Sequence, residues 1–213
     1  MKTIPDSVVR RLPLYLRKLD ELYGKGEARV SSGELCRMIH MEPSQLRWDM
    51  EQFGITPANG ITFEIDPLRR EIGRILGTYE EFSAILVGPG KIGSALIANF
   101  DFIMNGYTVL GAFDVSPGLV GQEISGVPVY DIEGLGDFVR EHKVDIAILT
   151  IPRGPAQKVT DTLVANGIRA IWNFTNEDLD VGESGVLVEN VHFSDSLLHL
   201  NYYLAKQNPK AEG

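Results

Sequence analysis

The stretch VGPGKIGSALIANF, residues 87–100, limits the possible folds of this 213-residue chain more than any other feature. Its three glycines, Gly88, Gly90 and Gly93, follow an apolar run at 82–87 and open a segment with helical spacing. A GxGxxG pattern is weak evidence alone, but a strand before it and a helix after it are the context that a dinucleotide fingerprint needs. The stretch therefore predicts a strand–turn–helix unit with a dinucleotide at the turn.

The three glycines have separate physical roles in such a turn. Gly88 allows the tight turn, Gly90 lets the backbone approach a pyrophosphate, and Gly93 lets the helix pack close to the strand. The amides at the start of the helix then point at the phosphates. A glycine-rich turn without a ligand is the alternative interpretation. The predicted contacts to the cofactor in this turn are Gly88, Pro89, Gly90, Lys91, Ile92 and Gly93.

A carboxylate ends the second apolar strand of this half of the chain. Asp114 closes the run TVLGAFD about 20 residues after Gly93, where a carboxylate binds the adenosine ribose hydroxyls and repels a 2′-phosphate. Asp114 is therefore predicted to favour NAD(H) over NADP(H), and Val115 is predicted to line the same site.

Apolar strands alternate with helices through the rest of the second half. Continuous apolar strands separated by helices indicate a parallel sheet covered on both faces, which is a doubly wound α/β fold. The strand patterns lie at 82–87, 107–113, 127–130, 144–151, 169–174 and 185–190, and the helix patterns near 91–105, 134–142 and 155–166. Ligands of such folds bind outside the carboxyl ends of the strands. Five residues at or just after the ends of these strands are therefore added to the predicted cofactor site: Thr150, Ile151, Pro152, Asn173 and Phe174.

The charge pattern changes near residue 80. Residues 1–79 carry 12 basic and 11 acidic side chains, whereas residues 80–213 carry 8 basic and 18 acidic ones. An acidic second half repels a polyanion, so a nucleic acid would have to bind the first. We therefore expect an N-terminal domain at 1–79, a sheet domain at 80–192 and a terminal segment at 193–213.

The N-terminal domain shows helix signals followed by a hairpin signal. The first helix has one apolar face, formed by Val8, Leu12, Tyr15, Leu19 and Leu22. A capping box at Ser31 and Glu34 predicts the start of the second helix, and Pro43 predicts the first turn of the third. Asn59-Gly60 is a strong signal for a two-residue hairpin turn. Three helices and a hairpin in this order predict a winged helix.

A linking helix is predicted after the hairpin, with Asp66 as its cap and Gly77 at its end. Its apolar residues, Leu68, Ile72, Ile75 and Leu76, lie on one helical face.

The third helix of a winged helix enters the major groove of DNA with its early residues. The predicted DNA contacts are Ser44, Gln45, Arg47 and Trp48, with Asn59 at the tip of the wing. Arginine can bind guanine and glutamine can bind adenine. Asp49 and Glu51 would repel the phosphates nearby, and a small helical cap domain without DNA is the alternative interpretation.

The sequence contains no recognisable set of catalytic acids and bases. A dehydrogenase usually adds a second domain with an acid or base near the nicotinamide. The histidines are His40, His142, His192 and His199, and none belongs to such a set. We expect the protein to bind the nucleotide without being an enzyme. The single cysteine, Cys36, excludes an intrachain disulfide and a multi-cysteine metal site, and no metal site is predicted.

No apolar run reaches membrane-spanning length, and the N-terminus has no signal-peptide pattern, so a cytoplasmic protein without a membrane partner is expected. The last helix pattern, SDSLLHLNYYLAK at 194–206, has a wide apolar face. It could pack on its own sheet or on a second subunit. A winged helix that binds palindromic DNA needs a dimer, which favours the second subunit.

These motifs together resemble the Rex family of bacterial redox-sensing transcriptional repressors. The resemblance spans nearly the whole chain and includes RLPLYLRKLDEL, VGPGKIGSAL, DIAILTIP, GIRAIWNF and LNYYL. It implies a homodimer with exchanged C-terminal helices, NAD(H) in each sheet domain, and release from operator DNA by NADH.

The resemblance also implies three switch residues. Family members carry a tyrosine near the nicotinamide where this chain has Asn99, and an aspartate beside the last strand where it has His192. The arginine that pairs with that aspartate is kept as Arg17. The recognition helix, RWDMEQFG, also differs from the family's Arg-Lys-Asp-Leu-Ser-Tyr-Phe-Gly. Two other functions stay open: a Rex-like NAD(H)-binding dimer that has lost DNA binding and acts through protein partners, and a small NAD-dependent oxidoreductase.

Overall fold

The structure of the chain is a computed structural model, and it describes residues 4–207. The predicted tail at 208–213 lies outside the described residues. The chain divides into two compact units after Glu80, and each has hydrophobic clusters of its own.

The first unit is a winged helix. Its elements are α1 (Asp6–Val9), α2 (Leu12–Gly24), β1 (Arg29–Ser31), α3 (Ser32–Ile39), α4 (Pro43–Gln52), β2 (Thr62–Glu64) and α5 (Ile65–Leu76). The five residues predicted to form the first apolar face are all buried. The helix predicted for them is interrupted between Val9 and Leu12, so the face is divided between α1 and α2. Leu46 and Met50 of α4 and Ile72 of α5 are also buried, and they join the same core as α2.

Three of the four predicted helix signals in this unit are confirmed, and one of them is Gly77, which ends α5 as its left-handed C-cap. The Ser31 hydroxyl accepts the amide of Glu34 at 3.1 Å and caps α3, and Pro43 occupies the first turn of α4. The prediction that Asp66 caps the fifth helix is wrong. Its N-cap is Glu64, and Asp66 lies inside the first turn, where its carboxylate pairs with Arg70 at 2.6 Å.

The hairpin prediction is correct for the turn and wrong for the pairing. Asn59 and Gly60 have φ values of 53° and 73°, the left-handed pair that a tight hairpin turn requires. The residues before the turn contribute only an isolated bridge, Ala58 to Thr62. Strand β2 pairs instead with β1, antiparallel, with Val30 opposite Phe63. Both of these side chains are buried, so the hydrophobic core determines the pairing.

The second unit contains a doubly wound sheet. Its strands are β3 (Phe82–Val87), β4 (Tyr107–Asp114), β5 (Glu123–Ile124), β6 (Val127–Asp131), β7 (Ile146–Leu149), β8 (Ala170–Asn173) and β9 (Leu187–Asn190). Their order is β5-β6-β4-β3-β7-β8-β9, and every pair is parallel except β5 with β6. The parallel strands have the order of a dinucleotide-binding fold, so the predicted fold is confirmed. The short strand β5 was not predicted.

Helices cover the two faces of this sheet unequally. On one face, α7 (Leu135–His142) and α8 (Arg153–Ala165) pack against Ile85, Val87 and Ile171. On the other face, α6 (Lys91–Asn99) packs near Ala84 and Leu86. The connection from β8 to β9 contains no helix, and Leu187 of β9 is 73% exposed. This second face is therefore only partly covered.

The last described helix, α9 (Phe193–Gln207), has no buried residue. Its large apolar side chains are all exposed: Phe193, Leu197, Leu198, Leu200, Tyr202, Tyr203 and Leu204. The ring of Phe193 still lies 6.1 Å from that of Phe174 at the carboxyl edge of the sheet. The rest of the apolar face of α9 is exposed in the part of the chain that the structure describes.

Candidate functional site

The glycine turn after β3 can form only with glycine at two of its positions. Gly88 has a φ of +86°, and a Cβ there would collide with the side chain of Ile151. A Cβ on Gly93 would lie 2.6 Å from the carbonyl oxygen of Gly88 and 2.6 Å from Oγ1 of Thr150. The helix α6 can therefore approach the strands β3 and β7 only because residue 93 has no side chain.

Gly90 differs because a Cβ on it would meet no atom of the chain within 4 Å. Its φ is −71°, so other residues could also adopt its backbone conformation. The space over Gly90 is thus open at the N-terminus of α6, which no side chain caps. The first amides of a helix have no partner within the helix and attract anions. Open space over uncapped amides fits the pyrophosphate of a dinucleotide.

Thr150 connects the end of β7 to this turn. Its hydroxyl donates to the carbonyl oxygen of Gly88 at 2.7 Å, and its amide donates to that of Val87 at 2.9 Å. Ile151 packs against Gly88, and Pro152 is the exposed N-cap of α8. The predicted residues after β7 are therefore brought together with the glycine turn, and Thr150 positions it.

Asp114 lies at the carboxyl end of β4, next to β3 in the sheet. One carboxylate oxygen, Oδ1, accepts the amide of Ser116 at 2.7 Å, which fixes the turn after the strand. Val115 is 76% exposed beside it. The structure thus places a carboxylate and an exposed apolar side chain at the same sheet edge as the glycine turn.

Asn173 is the last residue of β8 and Phe174 follows it, and both are buried. The Asn173 amide donates to Asn190 Oδ1 at 2.7 Å and to the carbonyl oxygen of Glu177 at 2.8 Å. Its oxygen accepts the amide and the hydroxyl of Thr175. These bonds join β8 to β9 and to the loop after β8, so the side chain of Asn173 holds the edge of the site.

Three of the predicted DNA contacts on α4 are exposed, namely Ser44, Arg47 and Trp48, as is Asn59 at the turn of the wing. Gln45 is half-buried, and its amide donates to Asp49 Oδ1 at 2.8 Å. Its donor group is therefore held by the protein.

Asp49 was expected to repel phosphate, and this prediction is wrong because its side chain is completely buried. Arg11 binds both carboxylate oxygens at 2.7 Å, and the hydroxyl of Tyr15 donates to Oδ2 at 2.5 Å. Burial alone would raise the pKa of Asp49, but the hydrogen bonds from Arg11, Tyr15 and Gln45 outweigh it and lower that pKa. Burial also raises the pKa of Tyr15. Asp49 therefore connects α2 to α4 as an ion, through the Asp49 network of these four residues.

One signal for this network can be recognised in the sequence. Asp49 lies at helical spacing between Leu46 and Phe53 on the apolar face of α4, where a carboxylate needs a partner. The partner Arg11 is far away in the sequence, and no local pattern identifies it.

The three switch residues have different surroundings. Arg17 is exposed on α2, and the amide of Asn99 at the end of α6 donates to the carbonyl oxygen of Ala95 at 2.9 Å. His192 is half-buried between β9 and α9, and its carbonyl oxygen accepts the amide of Asp195.

Within residues 4–207, no group of three or more histidine, cysteine, aspartate or glutamate side chains could hold a metal ion. No helix in this part of the chain is long and apolar enough to cross a bilayer.

Two family models match separate parts of the chain. A model described as a CoA binding domain matches residues 80–177, and a model described as a putative DNA-binding protein N-terminus matches residues 3–50.

Several relatives are similar to this chain over nearly its whole length. The redox-sensing transcriptional repressor Rex of Clostridium acetobutylicum is 39% identical over 97% of this chain and 96% of its own. Rex of Clostridium perfringens is 40% identical over 98% of each chain. A crystal structure of RSP in complex with β-NAD⁺ and operator DNA has 38% identity and a TM-score of 0.90, and covers 97% of this chain and 95% of its own. A structure of RSP with β-NADH has 39% identity and a TM-score of 0.88, and covers 97% of each chain.

Proposed function

The chain belongs to the Rex family of redox-sensing transcriptional repressors, and we propose that it represses transcription in response to the ratio of NADH to NAD⁺. One observation supports this most directly. The space over Gly90 is open at the uncapped start of α6, where a pyrophosphate fits. The chain that contains this site matches RSP, a Rex-family repressor, over 97% of its length at a TM-score of 0.90.

Each unit then has its own task. The glycine turn and the amides of α6 bind the pyrophosphate of NAD(H), and Asp114 binds the ribose of the adenosine. The exposed side chains at the start of α4 bind operator DNA, among them Arg47 and Trp48. RSP was solved with operator DNA together with NAD⁺, which supports the NAD⁺ form as the one that binds DNA.

The active protein in this proposal is a homodimer in the cytoplasm. The apolar side chains of α9, such as Leu197 at 62% exposure and Leu204 at 56%, need a cover that residues 4–207 do not supply. A second copy supplies it, and a twofold pair of winged helices matches a palindromic operator. The nucleotide acts as a signal and is not consumed, so the protein is a regulator and not an enzyme.

A gel-shift titration of genomic fragments with the purified protein tests this function. The fragments should be shifted in NAD⁺, and addition of NADH should release them more readily than the same concentration of NAD⁺. Arg47→Ala should abolish the shift while NADH binding is unchanged. Arg70→Ala is the matched control, because the guanidinium of Arg70 is paired with Asp66 and should not contact DNA.

The other two functions predict different results. A protein that binds NADH but shifts no fragment acts through protein partners. A protein that transfers hydride from NADH to an added acceptor is an oxidoreductase.

A further inference from the structure

A second carboxylate lies beside Asp114 at the edge of the sheet. Strands β4 and β6 are parallel neighbours, and the last pair of residues in their register is Asp114 with Asp131. Neighbouring strands lie about 4.8 Å apart. The two carboxylates therefore end adjacent strands at the edge where the adenosine ribose is expected.

We propose that Asp131 is a second specificity-determining residue, which excludes the 2′-phosphate of NADP(H) together with Asp114. The proposal rests on the proposed function, because it concerns the same dinucleotide site. It predicts that the preference for NADH over NADPH is divided between two carboxylates, so removal of either one leaves part of that preference.

The backbone holds both carboxylates in place. Oδ1 of Asp131 accepts the amide of Glu133 at 2.9 Å, and Oδ1 of Asp114 accepts the amide of Ser116 at 2.7 Å. Within the described residues these are the hydrogen bonds that the two carboxylates make. The other oxygen of each is left for a ligand, and no cation among residues 4–207 forms an ion pair with either group.

The segment that follows β4 carries charge of a single sign. Residues 114–139 contain no lysine or arginine, whereas sites that accept a 2′-phosphate use a nearby arginine. The first cation after this segment is Arg140, and its guanidinium is bound to Asp137 and Asn166. A 2′-phosphate beside Asp114 would therefore meet two carboxylates, and this segment supplies no free cation to offset the repulsion between like charges.

Calorimetric titration of the full-length protein with NADH and with NADPH tests the proposal through Asp131→Asn. Asparagine keeps an oxygen for the Glu133 amide and removes the charge. We expect NADPH to bind about 5-fold more tightly and NADH to change less than 2-fold. Asp131→Ser, which can also cap, should give the same shift. The NADPH gain should shrink in high salt, because ions screen a repulsion between partly exposed charges.

Two further variants complete the test. Asp114→Asn should raise NADPH affinity as well, and the double variant should exceed either single one. Glu141→Gln is the matched control, because it removes one exposed carboxylate at the C-terminal end of α7, whereas Asp131 precedes the N-terminal end of that helix. It should leave the ratio of NADH to NADPH affinity unchanged.

An unchanged ratio in both Asp131→Asn and Asp131→Ser would overturn the proposal while the proposed function stands. Equal losses of NADH and NADPH affinity would also overturn it, because they would show a ribose or adenine contact instead. If the unaltered protein bound neither dinucleotide, the proposed function would fail together with it.

Discussion

At the scale of single residues, Gly90 and Gly93 belong to one motif but have different neighbours. Gly93→Ala would place a methyl group against Gly88 and Thr150, so we expect the free energy of unfolding of the second unit to fall by about 1–3 kcal/mol. Gly90→Ala meets open space, so the stability should stay within about 0.5 kcal/mol. NADH affinity should nevertheless fall at least 10-fold, because the new methyl group occupies the space predicted for the pyrophosphate. Thermal unfolding and NADH titration of both variants measure the two effects.

The same pair of variants can contradict this assignment. Tight NADH binding by Gly90→Ala would show that the pyrophosphate lies elsewhere. A stable Gly93→Ala protein would show that α6 can move away from β3 without cost.

Asp49 is the residue on which the stability of the first unit depends most directly. Asp49→Asn keeps the shape of the side chain but leaves the charge of Arg11 without its partner, so we expect a loss of about 3–5 kcal/mol. Asp20→Asn, at an exposed carboxylate paired with Arg69, should cost at most about 1 kcal/mol. Urea denaturation followed by circular dichroism gives both values, and equal losses in the two variants would contradict the role of the Asp49 network.

The lowered pKa of Asp49 also fixes a dependence on pH. A carboxylate whose pKa is lower in the folded state stabilises that state above its unfolded pKa, near 4. This stabilisation is lost as the pH falls through the folded pKa. The unaltered protein should therefore lose stability below about pH 4, and Asp49→Asn should lose less over the same range.

The difference between these residues shows what sequence can predict at a site. The positions of the glycine turn between β3 and α6 and of Asp114 at the end of β4 were predictable, because the motif and its strands lie within one local segment. The Asp49 network was missed because Arg11 and Asp49 are joined only by the fold. Asp66 was assigned as a cap from its position directly before Pro67, and its carboxylate pairs with Arg70 instead.

At the scale of elements, helix α9 is expected to hold the dimer together. Leu197→Glu and Leu204→Glu each place a charge on its exposed apolar face, and burial of an unpaired charge at an interface is costly. We expect a shift from dimer to monomer, with at least a 10-fold higher dissociation constant in sedimentation equilibrium. Ser194→Glu on the same helix is the control and should leave the dimer intact. A stable dimer in both leucine variants would place the interface elsewhere.

Elements also differed in how well the sequence predicted them. The parallel strands have continuous apolar runs and glycine boundaries, so their positions were predicted within a few residues. Strand β5 is only two residues long and has no period that could be recognised. The partner of β2 could not be predicted, because Val30 and Phe63 meet across the core and not across a local turn.

At the scale of the whole molecule, coupling between NADH and the DNA-binding unit is predicted to be weaker than in typical members of the family. The family resemblance pairs Arg17 with an aspartate where this chain has His192, and a histidine cannot form the charge-assisted bond of a carboxylate. His192→Asp should therefore increase the factor by which NADH lowers operator affinity, at least 3-fold in gel-shift titrations. Glu189→Gln, which removes a charge near the same position, is the control. A strong NADH response in the unaltered protein that His192→Asp leaves unchanged would contradict this switch.

The exposed helix α9 also has a genetic consequence in the proposed dimer. Two alleles in one cell would make chains that mix in the same assemblies through α9. A chain with a disabled α4 and an intact α9 would then form mixed dimers with normal chains. Such a dimer has one functional α4 and cannot bind both halves of an operator. Such an allele should be dominant, whereas an allele that lacks α9 should be recessive, because its product never joins the normal copies.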